Sequence, residues 1–278
     1  MNNKLKYFIY SQNSINTYKS CPTKFKYKYI DKINWKYDDI ESREYYDSLK
    51  VRSEFHLLCE RYFSNIPLGL NEYTNPKFKV WIDKIKNMFP MNKKNNKIYL
   101  PEYEVRFNLD GNIITAKYDL IIIDENSIEV WDWKTENVKL EYIKVKDRIQ
   151  TVVYMFLAKE AVCKIFNLNI DYNNIKMKYY QPQYDDIPIE IIYNERQHEL
   201  NKSNIIRYID MINNTNYEKN DNYKYELIKN DKHCSFCEFN KLCNRQDVVC
   251  LLYTSKLSKN SHFGCIFLYN INLFNFKN

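Results

Sequence analysis

Residues 115–135 constrain this chain more than any other stretch. Two apolar runs, Leu120 to Ile123 and Ile128 to Trp133, flank the polar residues Asp124, Glu125, Asn126 and Ser127. Apolar β-formers on both sides of a short polar turn predict a β-hairpin. Asp119 precedes the first run, and Asp132 and Lys134 close the second. Residues two apart in a strand share a face, so Asp132 and Lys134 point the same way. A hairpin this apolar is at least half buried, where an unpartnered charge is costly. The spacing Asp119-x12-Asp132-x-Lys134 sets two carboxylates a strand apart, where they can share one hard divalent ion. Mg²⁺ or Mn²⁺ would keep open positions for water and a phosphate oxygen. Lys134 can orient or deprotonate the attacking water, or neutralise charge as it develops. A salt-bridged strand end would use the same residues for structure alone, and the hairpin by itself leaves both readings open.

The flanking pattern predicts a meander. Ile98 to Phe107, with Glu102 and Glu104, alternates in part as a strand, and Asp110-Gly111 is a strong turn signal before a strand over Ile113 to Ile123. Glu141 to Phe166 predicts one long helix, with Gln150 and Tyr154 four apart on one face. Two further strands, Asn174 to Tyr180 and Ile187 to Tyr193, precede a helix from Asn194 to Asn213. Upstream, Ser14 to Lys19 predicts a short helix, and Pro22 fits the first turn of another that covers Lys24 to Ile30. The alternation of Lys24, Phe25, Lys26, Tyr27, Lys28 and Tyr29 suits a nucleic-acid surface, and equally a core face beside a solvated one. Glu44 to Asn65 predicts a helix whose stripe of Leu49, Phe55, Leu58, Tyr62 and Phe63 encloses His56. Alone, such a histidine is more often structural than a ligand. Phe78 to Phe89 predicts a further helix, followed by a basic loop at Lys93 to Lys97.

The chain has 278 residues, enough to bury a sizeable core, and a net charge of +7 that is compatible with a polyanionic partner without being diagnostic of one. No Gly-rich phosphate loop of the Walker type occurs, which argues against such a motor. With no signal-peptide pattern and no apolar run of bilayer length, the expectation is a cytoplasmic protein without a membrane partner. In a reducing compartment, clustered cysteines are metal or redox ligands before they are disulfides. Of the eight cysteines, Cys234-x2-Cys237-x5-Cys243 form such a cluster, suited to a zinc site or to part of an iron–sulfur site. Residues 251–278 read as an appendage.

These motifs resemble, in order, the RecB-like branch of the PD-(D/E)xK nucleases, and the resemblance spans roughly residues 11–247. Asp132-Trp133-Lys134-Thr135 looks like the branch's Asp-x-Lys-Thr strand, and Asp119 matches its earlier aspartate, with Ala116 where a glycine is usual. Gln150-x3-Tyr154 matches its helical motif, and His56 its metal-binding histidine. Glu104 falls where the family often has a glutamate, with Glu102 competing for the role. Cys21-Pro22 looks like the upstream cysteine that, with three C-terminal cysteines, holds a [4Fe–4S] cluster in AddB-type proteins and CRISPR-associated exonucleases.

The resemblance implies an α/β fold: a restriction-endonuclease-like mixed sheet flanked by helices, with an iron–sulfur staple of Cys21, Cys234, Cys237 and Cys243 joining its N- and C-terminal segments. It implies one nuclease domain over residues 1–250, comprising a helical part at 11–95, a catalytic core at 98–195 and a cysteine segment at 234–243. His56, Asp119, Asp132 and the Trp133 carbonyl would hold Mg²⁺ or Mn²⁺, Lys134 would assist the water, and Gln150 and Tyr154 would contact DNA. The activity implied is exonuclease action on single-stranded or end-containing DNA, in repair, recombination or CRISPR and mobile-element processing, with helicase or CRISPR adaptation proteins as partners. Two other classes remain open at this point: a non-catalytic DNA-binding or scaffold subunit of a helicase–nuclease complex, and a zinc-stabilised structural protein.

Overall fold

A two-residue turn opens the sheet. Asp110 and Gly111 both take left-handed backbone angles, φ +49° and +84°, between the paired residues Leu109 and Asn112. Positive φ at both central positions is the primed hairpin turn, whose twist matches its strands. It joins β2 (Ile98–Leu109) to β3 (Asn112–Asp124), and a second antiparallel connection leads to β4 (Ser127–Trp133). This is the meander read from the sequence.

The computed structural model describes residues 5–34, 40–91, 96–184, 187–217, 234, 237–240, 242 and 243, with backbone alone at 40–46. The chain divides into two units, Met1–Lys229 and Asn230–Asn278. The appendage at 251–278, Cys250 and most of the basic loop at 93–97 lie outside the described residues.

In the first unit the sheet has six strands. A strand that the sequence reading missed, β1 (Ile9–Ser11), pairs parallel with Ile113 to Thr115. Three residues are too few to show alternation. Strand β5 (Ile175–Tyr180) lies parallel to β4, and β6 (Ile189–Ile192) is antiparallel to β5.

Helices cover both faces. On one lie α1 (Gln12–Ser20), α2 (Pro22–Phe25), which runs on as a wider turn over Lys26–Ile30, and the crossover between β4 and β5. That crossover is not the continuous helix predicted for Glu141 to Phe166. A single turn, α5 (Tyr142–Val145), precedes α6 (Ile149–Leu157), which widens over Ala158–Val162 before α7 (Cys163–Ile165). The break allows the Thr151 hydroxyl to donate to the Val145 carbonyl at 2.6 Å. The long helix α8 (Glu195–Asn214) completes this layer. On the opposite face α3 (Ile40–Phe63) and α4 (Pro76–Met88) pack over Leu120, Ile122, Trp131 and Trp133. Fully burying each large apolar side chain contributes about 1.5–3 kcal/mol. That anchors the end of β4 even though Asp132 and Lys134 alternate with the tryptophans.

Candidate active site

Strands β3 and β4 separate where the sequence places its charged residues. Their last pair toward the opening is Leu120 with Trp131, so Asp119 and Asp132 are the first residues past the end of the ladder. Beyond that point β4 pairs only with β5, through Asp132 with Tyr179 and Trp133 with Tyr180. Among the described residues no strand lies beside the edge of β3 between its pairings to β1 and β4, residues 116–119. Buried backbone groups need partners, and side chains supply them here. The Tyr154 hydroxyl donates to the Lys117 carbonyl at 2.6 Å, and the Trp133 N–H turns to the Asp119 carboxylate at 2.7 Å.

A second break crosses the other edge of β3. Pro101 pairs with Leu120 and Tyr103 with Tyr118, but Glu102 and Asp119, between them, do not pair. Glu102 has φ +49°, a left-handed angle that is unfavourable for a residue with a Cβ. The alternation of faces changes phase at the same level. Ile114, Ala116 and Tyr118 pack in the core under α6, whereas Leu120 and Ile122 pack under α3 and α4. The double kink brings Glu102 and Asp119 to the side of α3 that carries His56.

His56, Glu102 and Asp119 each offer a donor atom, all within 4.8 Å of one another. His56 Nδ1 is 3.2 Å from Asp119 Oδ1 and 4.0 Å from Glu102 Oε1, and its Nε2 is 3.0 Å from the Trp133 carbonyl oxygen. The Lys117 ammonium lies 2.6 Å from the other oxygen of Glu102. Burial acts to lower the His56 pKa, but the hydrogen bond and charge of Asp119 outweigh it, so His56 is raised from its ordinary value. Burial likewise pushes Asp119 up, and His56 brings it below the usual carboxylate range.

Asp132 and Lys134 are buried, on the α6 side. Gln150, near the start of α6, links them: its amide N–H donates to Asp132 Oδ1 at 2.5 Å, and its oxygen accepts from Lys134 Nζ at 3.1 Å. Lys134 Nζ is 2.7 Å from Asp132 Oδ2, yet among the described residues that oxygen has no aligned hydrogen-bond partner, so the contact is an ion pair out of hydrogen-bond alignment. Burial raises the Asp132 pKa; Lys134 opposes the rise and Asp119 adds to it. Gln181 fixes the segment that leaves the site. It accepts from the Leu140 N–H at 2.7 Å and donates to the Val138 and Glu136 carbonyls at 3.0 and 3.3 Å.

The donor set suits a hard divalent ion: carboxylate oxygens, one imidazole, a nearby carbonyl, and a buried carboxylate oxygen with an unused lone pair. A family model of the PD-(D/E)XK nuclease superfamily matches residues 9–244. The chain belongs to that superfamily. It is therefore a nuclease of a metal-dependent class that acts on DNA. No curated protein matches the sequence. Among solved structures, a provisionally assigned exonuclease from Eubacterium rectale aligns at 13% identity and a TM-score of 0.47, over 76% of this chain and 84% of its own. The structure of SSO0001 aligns at 14% identity and a TM-score of 0.38, over 85% and 86%.

Hydrogen bonds and ion pairs at the strand fork connect His56, Asp119, Asp132, Trp133, Lys134 and Gln150, and Tyr154 bonds β3 beside them. Of the two glutamates, Glu102 joins His56 and Asp119, whereas Glu104 is exposed and held by Arg106 and Thr115. The sequence did carry a signal for this choice. Pro101 inside a strand marks an edge or a distortion, and the residue after it is the kinked one. The tyrosine hydroxyl and both ends of the Gln150 amide are engaged within the protein.

The cysteines divide between the two units. Cys21 caps α2, its sulfur accepting from the Lys24 N–H at 3.3 Å. In the second unit Cys234, Cys237 and Cys243 sit in successive tight turns: the Cys237 N–H donates to the Cys234 carbonyl at 3.2 Å, and the Cys243 N–H to the Phe239 carbonyl at 2.9 Å. Among the described residues no helix is long and apolar enough to cross a membrane.

Proposed function

We propose that this nuclease is a RecB-like exonuclease that hydrolyses phosphodiester bonds in single-stranded or end-containing DNA with Mg²⁺ or Mn²⁺. The observation that carries the reading is the convergence of His56, Glu102 and Asp119 beside the buried Asp132–Lys134–Gln150 network at the strand fork. When bound, the ion supplies Lewis-acid polarisation of the phosphate and a more acidic water. His56, Glu102 and Asp119 hold it, with Asp132 and the Trp133 carbonyl completing the set. Lys134, 2.7 Å from Asp132, orients the attacking water and offsets negative charge as the P–O bond forms and the leaving oxygen departs. Gln150 aims Asp132 and Lys134, and Tyr154 keeps the unpaired edge of β3 closed. Contact of either residue with DNA beside the scissile phosphate requires it to exchange its present partner.

Cys21, Cys234, Cys237 and Cys243 are proposed as ligands of a [4Fe–4S] cluster. The cap at Cys21 supports this, because a backbone N–H that points at sulfur favours a thiolate ligand, and the tight turns at the other three keep Cys234, Cys237 and Cys243 close along the chain. A cluster stapling residues so far apart would restrict the unfolded chain as a long-loop disulfide does. The setting proposed is cytoplasmic DNA repair, recombination or CRISPR and mobile-element processing, with a helicase or adaptation protein as partner.

The test starts with protein purified anaerobically and assayed on linear and circular single strands with Mn²⁺ or EDTA. Removing one member of the buried pair destabilises the fold, so the variants keep shape: Asp132→Asn and Lys134→Gln. Each is expected to lower cleavage by roughly 10²–10⁴-fold with an unchanged circular-dichroism spectrum. Wild-type rates in both variants would remove the catalytic assignment, cutting of circles would remove end dependence, and a colourless zinc protein would remove the cluster.

A further inference from the structure

A cleft of about 350 Å³ opens beside the His56–Glu102–Asp119 group, lined by Arg52, Ser53, His56, Leu57, Glu60 and Glu102. Five of these residues follow one another along a face of α3, and Glu102 enters from the kink of β2. The volume is at the small end for ligand sites, roughly right for a single nucleotide. Its chemistry is graded along the helix. Arg52 lies at one end, exposed, one turn before His56, and among the described residues no carboxylate stands within ion-pair distance of it. Leu57 is 50% exposed beside His56 and presents an apolar surface to the cleft. Glu60 marks the far end, eight residues and about 12 Å of helix from Arg52.

We propose that this cleft is a nucleotide subsite in which Arg52 grips the phosphate next to the scissile one and Leu57 packs against that nucleotide's sugar and base. The inference rests on the exonuclease reading for the identity of the strand. A guanidinium offers a planar fork of donors matched to phosphate oxygens, and among the described residues it has no carboxylate to satisfy it. Arg52 lines the cleft together with His56, and its charge is felt there and at Tyr154. A phosphate at the Arg52 end stays a helical turn or two from Glu60, so the acidic end is left to meet hydrogen-bond donors on the sugar or base.

The experiment is fluorescence anisotropy of a short labelled oligothymidylate in EDTA, over a salt series, with wild type, Arg52→Ala and Arg52→Lys. Arg52 is exposed, so its replacement leaves the core untouched. Arg52→Ala is expected to weaken binding roughly tenfold, the loss of one charge-assisted hydrogen-bonded contact. It should also reduce the slope of log K against log salt by about one phosphate contact. Arg52→Lys keeps the slope and recovers only part of the affinity, because the fork is lost. Wild-type affinity in Arg52→Ala, or weaker binding with an unchanged salt slope, overturns the proposal. Cleavage is read separately: a wild-type protein that binds with this signature yet cuts nothing with Mn²⁺ supports the subsite and removes the exonuclease reading.

Discussion

Two histidines in this molecule each face a carboxylate, and they behave in opposite ways. His56 Nδ1 lies 3.2 Å from Asp119, with side chains only 14% and 12% exposed. His198 Nε2 lies 3.0 Å from Glu160, but His198 is 3% exposed and Glu160 35%. Burial is the largest influence on both. At His56 the enclosed Asp119 overcomes it and the pKa rises. At His198 burial prevails and the pKa falls, because water screens the open glutamate and Lys159 opposes it. The surroundings differ as well. His198 lies between Phe156 and Tyr172, with ring centroids 5.2 and 5.1 Å away, and bonds the Tyr193 hydroxyl at 2.9 Å. His56 meets a second carboxylate and a carbonyl. A histidine–carboxylate pair is therefore not in itself a candidate metal centre; what sets His56 apart is that several hard donors converge with it where the strands part.

The sharpest way to break this distinction is to neutralise each carboxylate. Asp119→Asn is expected to cut Mn²⁺-dependent DNA cleavage by roughly 10²–10³-fold, the usual cost of removing one group that acts on developing charge. Glu160→Gln is expected to stay within about threefold of wild type, since it lies outside the fork. Rates on a labelled single strand decide between them, and equal losses in the two variants would dissolve the contrast.

Stability should separate the pair in the reverse order. His198→Ala leaves a cavity among Phe156, Tyr172 and Tyr193 and removes a hydrogen bond from the buried Tyr193 hydroxyl, which Asn201 also bonds. The expected cost is about 2–4 kcal/mol in urea unfolding. His56→Ala removes a more accessible ring from a crowd of charges and is expected to cost about 1 kcal/mol or less. A His56 variant as damaged as the His198 variant would make His56 a structural residue.

Much of this contrast was legible in the sequence, unevenly. The hairpin around Asp119 and Asp132 follows from its apolar runs and turn, and the positions of Gln150 and His56 follow from helical spacing. Glu102 was obscured because alternation treats it and Glu104 alike; both even positions of β2 should share a face. The kink after Pro101 and the change of phase at Asp119 break that rule, and a period of two does not encode its own interruption. The three-residue β1 was too short to read, and the predicted helix over 141–166 failed where three residues, Lys146 to Arg148, swing the chain so that α6 can present Gln150 to the buried pair. Apolar spacing continues through that break, so nothing in the pattern records it.

The smallest expected effect is also the one that isolates the two electrostatic environments. Both histidines start from an ordinary value of 6.5. A histidine whose pKa is raised on folding stabilises the fold fully below that value, and the contribution is lost as pH climbs through the raised pKa. A histidine whose pKa is lowered does the reverse: its contribution is present above 6.5 and is lost as pH falls through the lowered pKa. In EDTA, where no ion competes for the imidazole, urea unfolding of wild type should therefore show His56 eroding stability on the alkaline side and His198 on the acid side. His56→Asn is expected to flatten only the alkaline decline, and His198→Asn only the acid one, whatever each does to the overall level. If His56→Asn instead flattens the acid limb, Asp119 does not hold the imidazole in its charged form, and the electrostatic difference between the two histidines disappears.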